Sequence, residues 1–142
     1  MLRVLLLSLA LGAQVPDAEL EALEAEIARL EGERAGARTF ADNAKRAEID
    51  KKIALLKRIR DRASSVMAAR ARLCANKTQG PQAQPGVPAA VCANAGAGVV
   101  GQVRRAEELR ERLQSGDWGW HNRDERAALQ KELETLDRSL GL

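Results

Sequence analysis

Aromatic side chains are nearly absent: Phe40, Trp118 and Trp120 are the whole set in 142 residues, and there is no tyrosine. Large aromatic side chains supply much of the buried area in compact cores, so a chain without them has to build its core from Leu, Ile, Val and Ala. Such a core is thin, and it suits long paired helices better than a compact globule. Histidine is as scarce. His121 is the one imidazole, so a His general base would have to be this residue. Ser115, Asp117 and Asp124 stand near it, but no motif fixes a nucleophile. A four-ligand zinc site would need carboxylates or a second chain. Gly96-Ala97-Gly98 has no preceding strand and no following Gly-Lys-Ser or Gly-Lys-Thr, so it is not a phosphate loop. The expectation is therefore a protein that is not an enzyme and has no catalytic residues, cofactor or metal.

Long apolar runs are also lacking. The longest opens the chain, where Met1-Leu2-Arg3 is followed by Val4 to Leu11 and then Gly12-Ala13. That run is far short of the ~20 residues that span a bilayer. One early charge, a short apolar stretch and small residues match a secretory signal peptide over 1–13, the alternative being a buried first helical turn. Export predicts a periplasmic or secreted protein with no transmembrane segment in the mature chain.

Cysteine is limited to Cys74 and Cys92, eighteen residues apart. This spacing lies outside close-set zinc and thioredoxin-type motifs, and in an oxidising compartment an even pair favours a Cys74–Cys92 disulfide. In the chain-entropy account, closing a loop of this size stabilises the fold by about 3 kcal/mol.

What the chain does hold is helical periodicity. Leu20, Leu23, Ile27 and Leu30 fall on one stripe at steps of three and four. Asp17 can cap this helix, and Glu19, Glu21, Glu24 and Glu26 suit its positive N-terminus. Gly32 and Gly36 weaken it, and Thr39 with Asp42 resembles a new capping signal. Two readings follow: a break between Gly32 and Asp42, or one continuous helix through both glycines. The next helix is expected from about Phe40 to Cys74, with Ile49, Ile53, Leu56, Ile59, Ala63, Val66, Met67 and Leu73 on its stripe and Leu55 widening it. Residues 14–42 carry eight acidic and three basic groups, whereas 43–78 carry eleven basic and three acidic. Opposite charge on neighbouring striped helices predicts an antiparallel hairpin over 14–75.

Proline and glycine then cluster, with Pro81, Pro85 and Pro88 among Gly80, Gly86, Gly96, Gly98 and Gly101, which predicts a loop over 76–101. Beyond it, Val103, Ala106, Leu109 and Leu113 form one stripe and Leu129, Leu133, Leu136 and Leu140 another. Ser115-Gly116-Asp117 separates them, which predicts a second hairpin over 102–142. The fold class is all-α: elongated, coiled-coil-like helical hairpins joined by a Pro/Gly-rich loop.

Two segments are candidates for contact with other molecules. Trp118-Gly119-Trp120-His121 offers two large rings that can stack on a sugar, a peptide or a headgroup region. The same rings can instead fold over the open end of the helical pair. The basic helix, with Lys45, Arg46, Lys51, Lys52, Lys57, Arg58, Arg60, Arg62, Arg70 and Arg72, can bind a polyanion or stand as a solvated face beside its acidic neighbour. Lys52, Arg60 and Arg70 fall within or beside the apolar stripe, which suggests an open groove around Ile53, Leu56 and Arg58 that accepts another helix.

The resulting expectation is a non-catalytic interaction module of the cell envelope: a scaffold, adaptor or chaperone-like binder. It would bind another protein or itself through Ile53, Leu56, Arg58, Trp118 and Trp120. The alternative is a polyanion- or cell-wall-binding protein that uses the basic helix and the Trp turn; nucleic acid is not expected as a partner.

Overall fold

The computed structural model describes residues 18–77, 96 and 98–141. The expected signal peptide, most of the Pro/Gly segment and Cys92 lie outside the described residues. Within them the chain is all-α. Helix α1 spans Ala18–Gly36, α2 Asn43–Lys77, α3 Val99–Ser115 and α4 Arg123–Leu140. Single 3-10 turns, Phe40–Asp42 and Trp120–Asn122, lead into α2 and α4.

The apolar stripe read from the first segment is the buried face of α1, where Leu23, Ile27 and Leu30 are almost fully covered. Both of its glycines are accommodated inside the helix, and the break falls at Ala37–Thr39. Ala37 closes the helix by donating its N–H to the carbonyls of Glu33 and Arg34, each at 3.2 Å. At about 1.5 Å per residue, α2 is roughly 50 Å long and forms the spine. Its stripe is buried from Ile49 through Val66, and Ile59 and Ala63 are wholly inaccessible. The stripe ends there, because Leu73 is 41% exposed.

Ion pairs give the helix directions. Arg34 meets Asp50, Glu31 meets Lys57 at 3.0 Å and Glu24 meets Arg60 at 3.4 Å. Moving back along α1 moves forward along α2, so the two are antiparallel. Arg62 meets Glu107 at 2.9 Å, while Arg58 reaches both Glu107 and Glu111. Helix α3 is thus antiparallel to α2 and runs in the same direction as α1, consistent with Arg104 meeting Glu26 at 3.4 Å. Arg112–Glu125 and Arg105–Glu132, at increasing distance from their shared turn, show α4 returning beside α3. Apart from those to Glu107, these pairs are largely exposed, and such pairs typically contribute below ~1 kcal/mol each, so they select the register more than they supply stability.

The loop boundary expected at Gly101 is corrected. Val99 and Val100 lie inside α3 and are buried with Val103, Ala106 and Leu140 in one cluster that also holds Leu23, Ile27 and Ile59. The core is therefore continuous across all four helices. Ala63 and Ala106 are both at 0% exposure. Small residues at such positions let neighbouring backbones approach closely, so thinness here is a packing device. Helix α4 stops at Gly141, whose φ of 75° places it in the left-handed region that glycine adopts without strain, and its N–H returns to the Arg138 carbonyl.

The turn before α2 is held by a reciprocal cap. The Asp42 N–H donates to the Thr39 carbonyl at 3.1 Å, and Asp42 Oδ2 accepts from the Thr39 hydroxyl at 2.8 Å and from its N–H at 3.3 Å. These bonds from Thr39 hold the Asp42 carboxyl below its ordinary range. A depressed carboxylate contributes stability above its unfolded-state pKa and loses that contribution as pH falls through the folded-state value. An Asp42→Ala variant is expected to be less stable than the parent at neutral pH, with the gap closing well below pH ~4. Urea unfolding across a pH series measures this gap.

Candidate functional site

Helix α3 is fastened to α2 by a buried carboxylate. Glu107 is only 3% exposed, on a face otherwise made of Val100, Val103 and Ala106. Taking a carboxylate out of water costs several kcal/mol unless cations and donors meet it. Here Arg110 Nη1 donates to Oε1 at 2.8 Å, Arg62 Nε pairs with the same oxygen at 2.9 Å, and Arg58 Nε stands 3.6 Å from Oε2. Arg110 also reaches Asp137 of α4. Glu107 thus links α2, α3 and α4 at one point. Arg58, Arg62, Arg110, Glu111 and Gln114 line a polar cleft of about 210 Å³ around it.

The open groove expected around Ile53, Leu56 and Arg58 is corrected by this arrangement. Ile53 is 8% and Leu56 5% exposed, because α1 covers them. Arg58 is engaged by Glu107 and Glu111. The cations within the stripe are accommodated locally: Arg60 pairs with Glu24 and Asp61, and Arg70 donates to the Ser139 carbonyl at 3.1 Å. Lys52 sits with Glu26, Arg29 and Arg104 beside Leu55 at the rim of a second cleft. Much of the basic helix is thus taken up by carboxylates and carbonyls of its own chain, leaving no clean cationic stripe.

The Trp segment divides its two rings. Trp118 folds back on α3, half-buried, and its Nε1 donates to the Leu113 carbonyl at 3.1 Å, one of the acceptors that a helix end leaves unfilled. Its ring lies directly on Gly116, where an added Cβ would come within 2.6 Å of Nε1. Glycine is required there by this close approach. Trp120 is 83% exposed, so it does not cover the helical pair. Arg123 stacks over its ring at 4.6 Å from the centroid. His121 is exposed on the same turn. Of its polar neighbours, Ser115 bonds back to the Glu111 carbonyl and the Asp117 carbonyl accepts from Asn122. These residues build the turn and do not converge on the imidazole.

The site that sequence reading missed is a repeat of turn chemistry. At the α3–α4 corner, the Gly119 N–H donates to Asn122 Oδ1 at 2.8 Å, just as the Thr39 N–H donates to Asp42 Oδ2 at the α1–α2 corner. In both corners the residue between these partners that opens the 3-10 turn is aromatic, Phe40 in one and Trp120 in the other. Phe40 is 90% exposed. Because α1 and α3 run in the same direction, level with each other at Glu26 and Arg104, both corners lie at one end of the bundle. They stand level to within one or two helical turns. The signal was present as Thr-Phe-Ala-Asp and Gly-Trp-His-Asn, each followed seven residues later by a buried aliphatic, Ile49 and Leu129. It is visible only once both segments are known to be corners.

No family model matches this chain, and no curated protein or solved structure matches it either.

Replacing Glu107 by Gln keeps the side-chain volume but leaves three guanidinium groups converging on a neutral amide. Breaking a fully buried pair costs ~3–5 kcal/mol. Arg58 and Arg62 reach solvent, so the expected loss is about 2–3 kcal/mol. Urea denaturation of the variant at neutral pH measures it.

Proposed function

We propose that this chain is a non-catalytic interaction module that contacts other macromolecules through its two aromatic corners. The observation that carries this reading is the exposure of Phe40 and Trp120, at 90% and 83%, in a chain that has only three aromatic residues. Isolated exposed aromatic rings on rigid turns suit recognition, because each offers a large contact area at little conformational cost. The side-chain caps of Asp42 and Asn122 hold these turns before any partner arrives, which lowers the ordering penalty of binding. The readings of scaffold, adaptor and chaperone-like binder all fit this use. The basic helix is a weaker candidate for a polyanion surface, since Lys57, Arg58, Arg60 and Arg62 already face carboxylates.

The same proposal places the module outside the cytoplasm. Its support is the Leu-rich segment after Arg3 and the even cysteine pair. Cys74, half-buried near the end of α2, is not a free thiol. Its expected bond to Cys92 belongs to this proposal, and it would tie the Pro/Gly segment to the end of the spine opposite the corners. No helix among the described residues is long and apolar enough to cross a membrane.

A photo-reactive residue at His121, beside Trp120, tests the reading in the native cell envelope with the full chain. Adducts are expected from this position and not from the same residue placed at Glu134, on the outer side of α4. Equal products from both positions, or none from His121, would contradict contact through the corners.

A further inference from the structure

We infer that the end of the bundle carrying Phe40 and Trp120 docks on the interfacial region of a lipid bilayer, both rings entering together as shallow anchors. The inference rests on the interaction-module reading and names its partner. Three observations support it.

The first is area. An aromatic side chain buries about 150–250 Å², so the two rings together offer roughly 400 Å². A stable protein interface needs about 800 Å² from each partner. Phe40 and Trp120 fall well short of that, and Trp118, the remaining aromatic, is committed to the end of α3. A bilayer interface asks for no such minimum, because apolar anchors and surface charge contribute to binding independently.

The second is placement. The rings sit on separate corners, level to within one or two helical turns and on the order of 10–20 Å apart, given ordinary spacing between packed helices. A single pocket would have to span both corners, with the ends of α2 and α3 between them. A planar, deformable phase receives both rings without any complementary shape.

The third is charge. Arg38, Lys45, Arg123 and Arg126 are exposed around the rings, against the exposed carboxylates Asp117 and Asp124. Glu125 pairs with Arg112 and Asp124 lies 3.9 Å from Arg123, while Asp42 keeps its charge inside its own cap. Arg123, stacked on Trp120, brings a guanidinium to the depth at which headgroup phosphates lie when the ring is inserted. Trp favours that same depth in membrane proteins. The excess of cations is modest, so anionic lipid should strengthen binding without being the whole of it.

The test uses the full chain with vesicles of phosphatidylcholine and vesicles containing phosphatidylglycerol, read by flotation. In a Trp118→Phe background Trp120 is the sole indole, and its emission is followed with brominated lipid as a quencher. The expected result is flotation with both vesicle types, tighter on the anionic ones, with a blue shift and quenching of Trp120. Phe40→Ser and Trp120→Ser should each weaken binding about tenfold. Because both rings are exposed, these variants should keep the parent's far-UV ellipticity and urea midpoint.

Absent flotation, or an unshifted Trp120 emission on bound vesicles, would overturn the lipid inference. Flotation unchanged in the double variant would overturn it too, since the contact would then lie elsewhere in the chain. If vesicles fail while the His121 photo-adduct is a discrete protein, the lipid partner falls and the interaction module stands. If neither is found, both fall.

Discussion

The carboxylate of Glu107 fixes how the two halves of this protein meet. On a helix face otherwise made of Val100, Val103 and Ala106, a carboxylate is tolerated only where guanidinium groups reach it, and Arg58 and Arg62 can do so from α2 in only one register. Apolar surfaces of Val, Leu and Ala slide past one another at little cost, since hydrophobic burial is non-directional. A buried ion pair is directional, so it turns an adhesive face into a single alignment. That alignment brings the C-terminal end of α3 level with that of α1. The common level of Phe40 and Trp120, and hence the whole functional argument, depends on it.

The distribution of the aromatics follows from the same economy. A core of Leu, Ile, Val and Ala on long helices needs no large rings, and Ala63 and Ala106 show that close approach does the work of bulk. The few rings present are therefore released for other uses. Trp118 seals a helix end with a hydrogen bond, and Phe40 and Trp120 stand outward on capped corners. The proposed module is then a rigid spine with two small anchors at one end.

The four helices were largely legible in the sequence, because steps of three and four from Leu23 to Leu30 and from Ile49 to Val66 mark buried stripes directly. The charge contrast between the first two helices foreshadowed the pairs Glu24–Arg60 and Glu31–Lys57. Val99 and Val100 were hidden by their neighbourhood, where Gly96, Gly98 and Gly101 suggest a loop although Gly98 in fact caps a helix start at φ 72°. The groove imagined around Ile53 and Leu56 failed because periodicity shows that a face is apolar, not what covers it. Arg60 and Arg70 beside that face signalled charges meeting Glu24 and the Ser139 carbonyl, which no one-dimensional pattern reveals. Glu107 was unreadable for the same reason, since Arg58 and Arg62, which bring α2 to it, lie more than forty positions away. The paired corners leave only a short trace in the sequence, Thr39 to Asp42 and Gly119 to Asn122, and their shared level is a tertiary fact.

The distance between the two corners tests this account most directly. Nitroxide labels carried on unnatural residues at Ala41 and His121 leave the native cysteines untouched, and pulsed electron spin resonance reads their separation in solution. The account predicts a separation on the order of 20 Å, set by neighbouring helices at one end of the bundle. A distance approaching 50 Å, roughly the length of α2 at about 1.5 Å per residue, would put the corners at opposite ends. That result would contradict both the register set by Glu107 and the shared docking surface built on it.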